Sequence, residues 1–332
     1  MIRLAIDFGA SETKIYLEGN GIVLVEPTCA AVSAGTRDVR AVGMAARRLN
    51  VGASDLVSFH RPVAAGGIVD PPLAAAVLGT FLNKIGIPRR KARRALALFA
   101  VPCGASNALL GAYAAVAQAC GLGAVRFVES PILAALGQGM SLSDDRTAFI
   151  VDIGAATANI AAVSSAGIAA GIGIGLGGGK LDADIVDMVE TRMGVHIGPV
   201  TAERVKLSVA SLYAGDTTRT TVRGKELLSG RSCTLTLSSN DLDLCFRRYA
   251  DLVAEYIRLV LGRLPPRSAV FATRRGIRLS GGGARLIGLD EYCAQALNAD
   301  VIVPPEPHLT VVRGGGLAVC DPAVLDAVSI EY

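Results

Sequence analysis

Several absences bound this 332-residue chain before any motif is considered. There is no tryptophan and only 5% aromatic residues, so its core has to be built from Ala, Val, Ile and Leu. The seven cysteines (Cys29, Cys103, Cys120, Cys233, Cys245, Cys293, Cys320) are odd in number and never in CxxC spacing, which argues against a disulfide framework or a zinc site and for buried thiols in a reducing compartment. No GxxxxGK[ST] sequence is present, which argues against a P-loop enzyme. The loose GxGxxG match at Gly173 and Gly175 has no ribose-binding acid at the expected distance. Charge of either sign is in short supply too: 33 Lys+Arg against 29 Asp+Glu leave a net +4, too mild and dispersed to indicate a nucleic-acid partner. Hydrophobic residues make up 51% and mean hydropathy is +0.46, which raises the question of a membrane span. The charge-free stretch between Asp152 and Lys180 does not supply one: Asn159, Ser164, Ser165 and many glycines make it read as strands and turns. The opening Met-Ile-Arg-Leu-Ala-Ile-Asp enters a strand almost at once, without a signal or transit sequence, and the expected location is cytoplasmic.

What is present is a long-range echo. Residues 2–17 read IRLAIDFGASETKIYL and residues 148–163 read AFIVDIGAATANIAAV. Each is an apolar run ending in Asp, a small-residue turn, and a second apolar run, the pattern of a β-hairpin. Two such hairpins about 145 positions apart predict two related α/β domains facing one another. Around them the periodicity predicts a helix carrying Leu73, Val77, Phe81 and Ile85 and a basic loop at Arg89, Arg90, Lys91, Arg93 and Arg94. A strand over 95–101, a helix over 106–120, a strand over 124–128 and a helix over 131–138 follow. Further helices are expected over 182–193, 201–213 and 240–264, the last ending at Pro265-Pro266. Strands are expected over 219–222 and 233–237 with a turn at 224–230, and over 277–279; Gly314-Gly315-Gly316 is read as opening the last helix.

Small-residue turns let backbone N–H groups approach phosphate oxygens, and a concavity of N–H groups complements negative charge. The chain has three: residues 9–13, residues 154–157, and Gly281, Gly282, Gly283 after the strand over 277–279. Asp7 and Asp152 precede the first two. A carboxylate among phosphates is repulsive unless a cation lies between, so each suggests magnesium held through water. Lys14, on the returning strand, is either a terminal-phosphate ligand or an ordinary strand lysine.

These stretches, with LSGGGARLIGLD at 279–290, GNGIVLVEPT at 19–28, RPVAAGGIVD at 61–70, FVESPILAALGQG at 127–139, TAERVK at 201–206 and VRGKELLSG at 222–230, resemble the MreB family of bacterial actin-like cell-shape proteins, within the actin, sugar-kinase and heat-shock ATPase superfamily. The resemblance implies an actin-like ATPase fold of two α/β domains. The first takes residues 1–143 and about 315–332, with a small subdomain at about 32–76. The second takes residues 144–314, with a small subdomain at about 180–244. It implies ATP and Mg2+ between them, with Asp7, Gly9, Ala10, Ser11, Thr13 and Lys14 on one side and Asp152, Gly154, Ala155, Ala156 and Thr157 on the other. Gly178 joins these. Glu203 and Lys206, at i and i+3 of one helix, would meet the ribose and base, and Gly281 to Gly283 the adenine and α-phosphate. Glu129 would polarise the attacking water and Asp152 support hydrolysis; the alternative reading of Glu129 is a helix N-terminal charge.

The chain departs from the family pattern at Ala155-Ala156, where MreB usually has Gly-Gly, at Lys14, which resembles actin, and at Lys180 after Gly178-Gly179. Two added methyls would crowd the γ-phosphate side or shift the turn, so slow hydrolysis is expected. The resemblance further implies homopolymer filaments at the anionic inner face of the cell membrane, meeting the cell-wall elongation machinery. Lacking an N-terminal amphipathic helix, this chain would attach through Ile85 and Ile87 followed by Arg89 and Arg90. A nonpolymerising paralogue that regulates other filaments and a metabolic kinase of the same superfamily are the competing readings; no additional acid clearly supplies the kinase's base.

Overall fold

The computed structural model describes residues 2–50, 57–141 and 147–331. Two five-stranded sheets dominate, and they repeat one order. In the first, Ala124–Glu129, Ala95–Val101, Ile2–Phe8, Glu12–Leu17 and Gly21–Pro27 lie side by side; in the second, Val301–Ile302, Ile277–Ser280, Ala148–Ile153, Ala158–Ser164 and Gly167–Ile174 do so. In both, the central strand pairs antiparallel with its hairpin partner and parallel with a strand reached through helices. A strand in that position is covered on both faces, which is why residues 4–6 and 148–151 read as unbroken apolar runs up to their aspartates. The echo between residues 2–17 and 148–163 is thus an echo of topology.

Helices Pro71–Lys84 and Asn107–Ala119 cover one face of the first sheet, Phe81, Leu78 and Val116 packing on Phe99 and Ile6. Asp70 and Ser106 cap them by accepting the N–H groups of Leu73 and Leu109. The opposite face meets helix Ser130–Gly137, whose Ile132, Leu133 and Leu136 share a core with Leu98 and Val128 of the first sheet and Ile150 and Ala161 of the second. One helix therefore packs against both sheets. A separate core under the second sheet is sealed by the long helix Ser239–Leu261, its Phe246, Tyr249 and Val253 against Phe149 and Val151. Two three-stranded sheets complete the architecture: Ala30–Ser33 with Val39–Val42 and Val57–His60, and Val195–His196 with Arg219–Glu226 and Ser232–Ser238.

Several expectations shift. The glycines at 314–316 do not open the last helix; they lie in the middle of Thr310–Cys320, and Pro322–Val328 follows it. A Cβ on Gly314 would stand 1.8 Å from the carbonyl oxygen of Leu133, so the glycine is there for backbone contact between two helices. The helix expected over 182–193 begins at Gly178, and that expected over 201–213 is Pro199–Val209, because Ser211 instead pairs with Ile287. The strand at 219 runs on to Glu226, shortening the expected turn, and Pro265 starts a new helix, Pro266–Arg274, besides ending the old one.

The expected membrane loop is changed most. Ile87 is only 4% exposed and Ile85 packs against the same core. The basic run forms a short helix, Arg89–Ala92. Arg89 donates to the carbonyl of Ala119, at the end of helix Asn107–Ala119 (2.7 Å), and Lys91 to that of Gly86 (3.2 Å), the usual service of cations to helix C-termini. Ile87 is therefore core, and Arg89 and Lys91 are tied to carbonyls. No helix among the described residues is long and apolar enough to cross a membrane.

Candidate functional site

Between the two large sheets lies a cleft of about 430 Å³, a volume in the range of small-molecule sites. Each wall begins at the end of a central strand. On one side Asp7 leads into Gly9, Ala10 and Ser11, and Lys14 returns opposite Asp7 in the hairpin register. On the other Asp152 leads into Gly154, Ala155, Ala156 and Thr157. Gly281, Gly282 and Gly283 close a third side, while Glu203 and Lys206 reach in from helix Pro199–Val209. Gly281 has φ +79°, and a Cβ there would lie 2.2 Å from the carbonyl oxygen of Ile153, so only glycine lets this turn cross the second hairpin.

The turn with Ala155 and Ala156 is regular. Gly154 N–H donates to the carbonyl of Thr157 at 2.8 Å, and the first N–H groups of helix Gly178–Met193 take up its other carbonyls, Gly178 donating to Gly154 (2.9 Å) and Gly179 to Ala155 (2.7 Å). The two methyls line the cleft without displacing the hairpin register. Gly178 also lines it, its carbonyl accepting from Lys206 Nζ at 2.9 Å; the same ammonium meets Asp182 at 2.8 Å. Glu203 holds Arg61 at 3.2 Å across the cleft mouth. Lys180 turns away to pair with Asp184.

Two expected residues fall outside the lining. Thr13 is fully buried, its hydroxyl paired with that of Thr28 at 2.8 Å, since the strand alternation turns it from Lys14's side into the sheet's other face. Glu129 stands at the N-cap of helix Ser130–Gly137 without capping it; its carboxylate instead accepts the N–H of Gly104 at 2.6 Å, and the neighbouring Ser130 reaches the cleft.

The residue sequence reasoning passed over is Asn159. It faces Asp152 across the second hairpin, is 4% exposed, lines the cleft, and its Oδ1 accepts the N–H of Cys103 at 3.0 Å. The loop at Cys103–Gly104 is thus held by Asn159 of one domain and Glu129 of the other. Its signal was available: counting across the hairpin, position 159 matches position 14. Arg285 and His308, also in the lining, carried none.

The electrostatics set the two aspartates against each other. Burial, then the Asp7 charge, pushes the Asp152 carboxyl up to about 6, although Ser280 donates to it at 2.9 Å and Lys14 and Asn159 oppose the rise. For Lys14, burial disfavours the charge, but Asp7 at 3.4 Å and Glu12 at 3.7 Å outweigh it and its pKa is raised, so it stays an ammonium. An acidic pair beside one fixed cation, ringed by backbone turns, suits a polyanion carrying a divalent metal.

Comparison with known proteins supplies the context. The family model described as MreB/Mbl protein matches residues 1–326. The cell shape-determining protein MreB of Escherichia coli is 32% identical over 320 residues, 95% of this chain and 92% of that protein; Mbl of Bacillus subtilis is 30% identical over 315 residues, 95% and 94%. Among solved structures, MreB5 of Spiroplasma citri bound to AMPPNP superposes with a TM-score of 0.90 at 24% identity, covering 98% of this chain and 97% of that one. A MamK double helical filament does so at 0.82 and 18%, covering 96% and 99%. The repeated sheets around a cleft are an actin-like fold, and the chain belongs to the MreB/Mbl family of cell shape-determining cytoskeletal proteins.

Proposed function

We propose that this protein binds ATP with Mg2+ in the cleft, assembles with copies of itself into filaments beneath the cytoplasmic membrane, and determines cell shape by guiding the cell-wall elongation machinery. The observation that carries the reading is the cleft itself: three backbone turns, residues 9–11, 154–157 and 281–283, converging on a volume lined by Asp7, Lys14 and Asp152. In this reading the turns receive the phosphates, Lys14 neutralises the terminal one, and Glu203 and Lys206 meet the ribose and base. Asp7 and Asp152 fit a magnesium held through water, because a divalent cation relieves the Asp7 repulsion that adds to burial in raising the Asp152 pKa. When bound, the ion would offset phosphate charge. The structures of MreB5 bound to AMPPNP and to ADP and the filament form of MamK support the reading.

Hydrolysis in this proposal is slow and acts as a switch on filament stability. Glu129 orients water only after its carboxylate leaves the N–H of Gly104, a rearrangement that closure of the two domains around nucleotide would supply. That engagement, together with the methyls of Ala155 and Ala156, favours a second reading: a nonpolymerising, weakly hydrolysing paralogue that regulates other filaments. Sedimentation of the full chain with ATP, Mg2+ and anionic vesicles separates the two. Pelleting that requires ATP supports the filament; a protein that binds ATP tightly yet stays monomeric under every condition overturns it and leaves the regulator.

A further inference from the structure

The loop at 102–104 follows strand Ala95–Val101 of the first sheet and lies against the second. Its own side grips it: the Glu129 carboxylate accepts the N–H of Gly104 at 2.6 Å and the thiol of Cys103. Burial, then Glu129, pushes that thiol up to about 12, so it stays a donor and the loop moves with the first sheet. On the far side the loop meets strand Gly167–Ile174, the edge of the second sheet, where Gly171 and Gly173 share one face. A Cβ on Gly173 would stand 2.7 Å from the Cys103 carbonyl oxygen, and one on Gly171 2.7 Å from the Cys103 Sγ. Glycine at 173 is what lets the loop come down on the strand.

Across this seat the N–H of Cys103 donates to Oδ1 of Asn159 at 3.0 Å, and that bond settles which way the amide points. With its oxygen claimed by the loop, Asn159 turns its NH2 group to Asp152, the residue opposite in the hairpin register, and serves that carboxylate as a donor alongside Ser280. A loop lifted off its seat would free the oxygen end to turn toward Asp152, where two acceptors repel. We propose that Asn159 is a positioning residue that couples the metal carboxylate Asp152 to the seating of loop 102–104: the cleft holds a divalent cation tightly while the loop is seated and loosely when it lifts. This rests on the reading of Asp7 and Asp152 as a magnesium site. Coupling of this kind is reciprocal, so the cation also holds the loop down. Helix Ser130–Gly137 joins the two sheets through buried apolar side chains, whereas the seat is polar and rests on bare backbone, so the seat is the contact that can open.

The test is the affinity of the full chain for a fluorescent ATP analogue, measured with Mg2+ and with EDTA, the ratio giving what the metal contributes. The wild type is expected to gain about tenfold or more from Mg2+, and N159A and G173A each to lower that gain about fivefold. Gly173 is not among the residues lining the cleft, so G173A should match the wild type in EDTA. An equal loss in Mg2+ and in EDTA, in both variants, would mean a structural role alone and overturn the coupling. The reciprocal effect is read by alkylation of Cys103, located by mass spectrometry. Nucleotide with Mg2+ should slow it severalfold relative to nucleotide with EDTA in the wild type, and not in N159A. If Mg2+ leaves the Cys103 rate unchanged, or both variants keep the full gain from Mg2+, the coupling is overturned while the magnesium reading stands. If the wild type gains nothing from Mg2+, the magnesium reading falls and this inference with it.

Discussion

The two hairpins that form the cleft are the same device with one difference. In the first, Asp7 faces Lys14 across the register; in the second, Asp152 faces Asn159 at the matching position. A cation opposite the first carboxylate and a neutral amide opposite the second make the site asymmetric. Lys14 balances Asp7 at 3.4 Å, whereas Asp152, buried and repelled by Asp7, is pushed up to about 6. Duplication supplies two carboxylates; the residue across each hairpin decides what each is ready to meet. The first side carries its own counter-ion and the second waits for one.

Removing the unbalanced carboxylate should have the largest effect. Asp152→Ala is expected to reduce magnesium-dependent ATP turnover at least 100-fold, read as phosphate release, and unchanged turnover would take Asp152 out of the site. Next is the balanced side: Lys14→Ala should weaken triphosphate binding about 10- to 100-fold, the scale of a lost charge-assisted hydrogen bond. Equal ATP affinity in that variant would confine Lys14 to holding Asp7.

The asymmetry also has a pH signature in the nucleotide-free protein. A carboxyl raised from about 4 to about 6 by folding contributes stability that is fully present below about pH 4 and lost as pH rises through about 6. Asp152→Asn should therefore gain on the wild type between pH 4.5 and 7.5, by at most about 2 to 3 kcal/mol in denaturant titrations. A difference that stays level across that range would mean that neither burial nor Asp7 raises the Asp152 carboxyl. Asn159→Ala deprives the Cys103 N–H of its acceptor and should cost about 1 to 2 kcal/mol of stability. Smallest is Thr13→Val, which breaks the buried hydroxyl pair with Thr28 for about 1 kcal/mol and should leave ATP affinity untouched.

How much of this could be read in advance depended on how local the cause was. The strands over 95–101 and 148–153 were legible because both faces are buried and, Asp152 apart, every position is apolar. Asp7, Asp152 and the glycine turns were legible for the same reason, their chemistry interrupting an apolar run. Local signals failed where the same residue serves two purposes. Gly314 looked like a helix start and is a contact point with the carbonyl of Leu133; Pro265 looked like an end and also begins a helix. Thr13 adjoins the first turn in sequence but faces the opposite side of the strand from Lys14. Glu129 occupies the expected strand end, yet its carboxylate is drawn to Gly104, a partner 25 residues away along the chain.

The sequence by itself determined the repeated α/β architecture, since hydrophobic runs and turn residues act over a few positions, and it determined which residues could carry phosphate chemistry. Tertiary structure decided which of them share the cleft, and which surface remains for a partner. Ile87 and Phe271 are both large, apolar and close to arginines in sequence, and nothing local distinguishes them. Packing does: helices Pro71–Lys84 and Asn107–Ala119 close over Ile87, while the second core ends beneath Ala272 and leaves Phe271 outside.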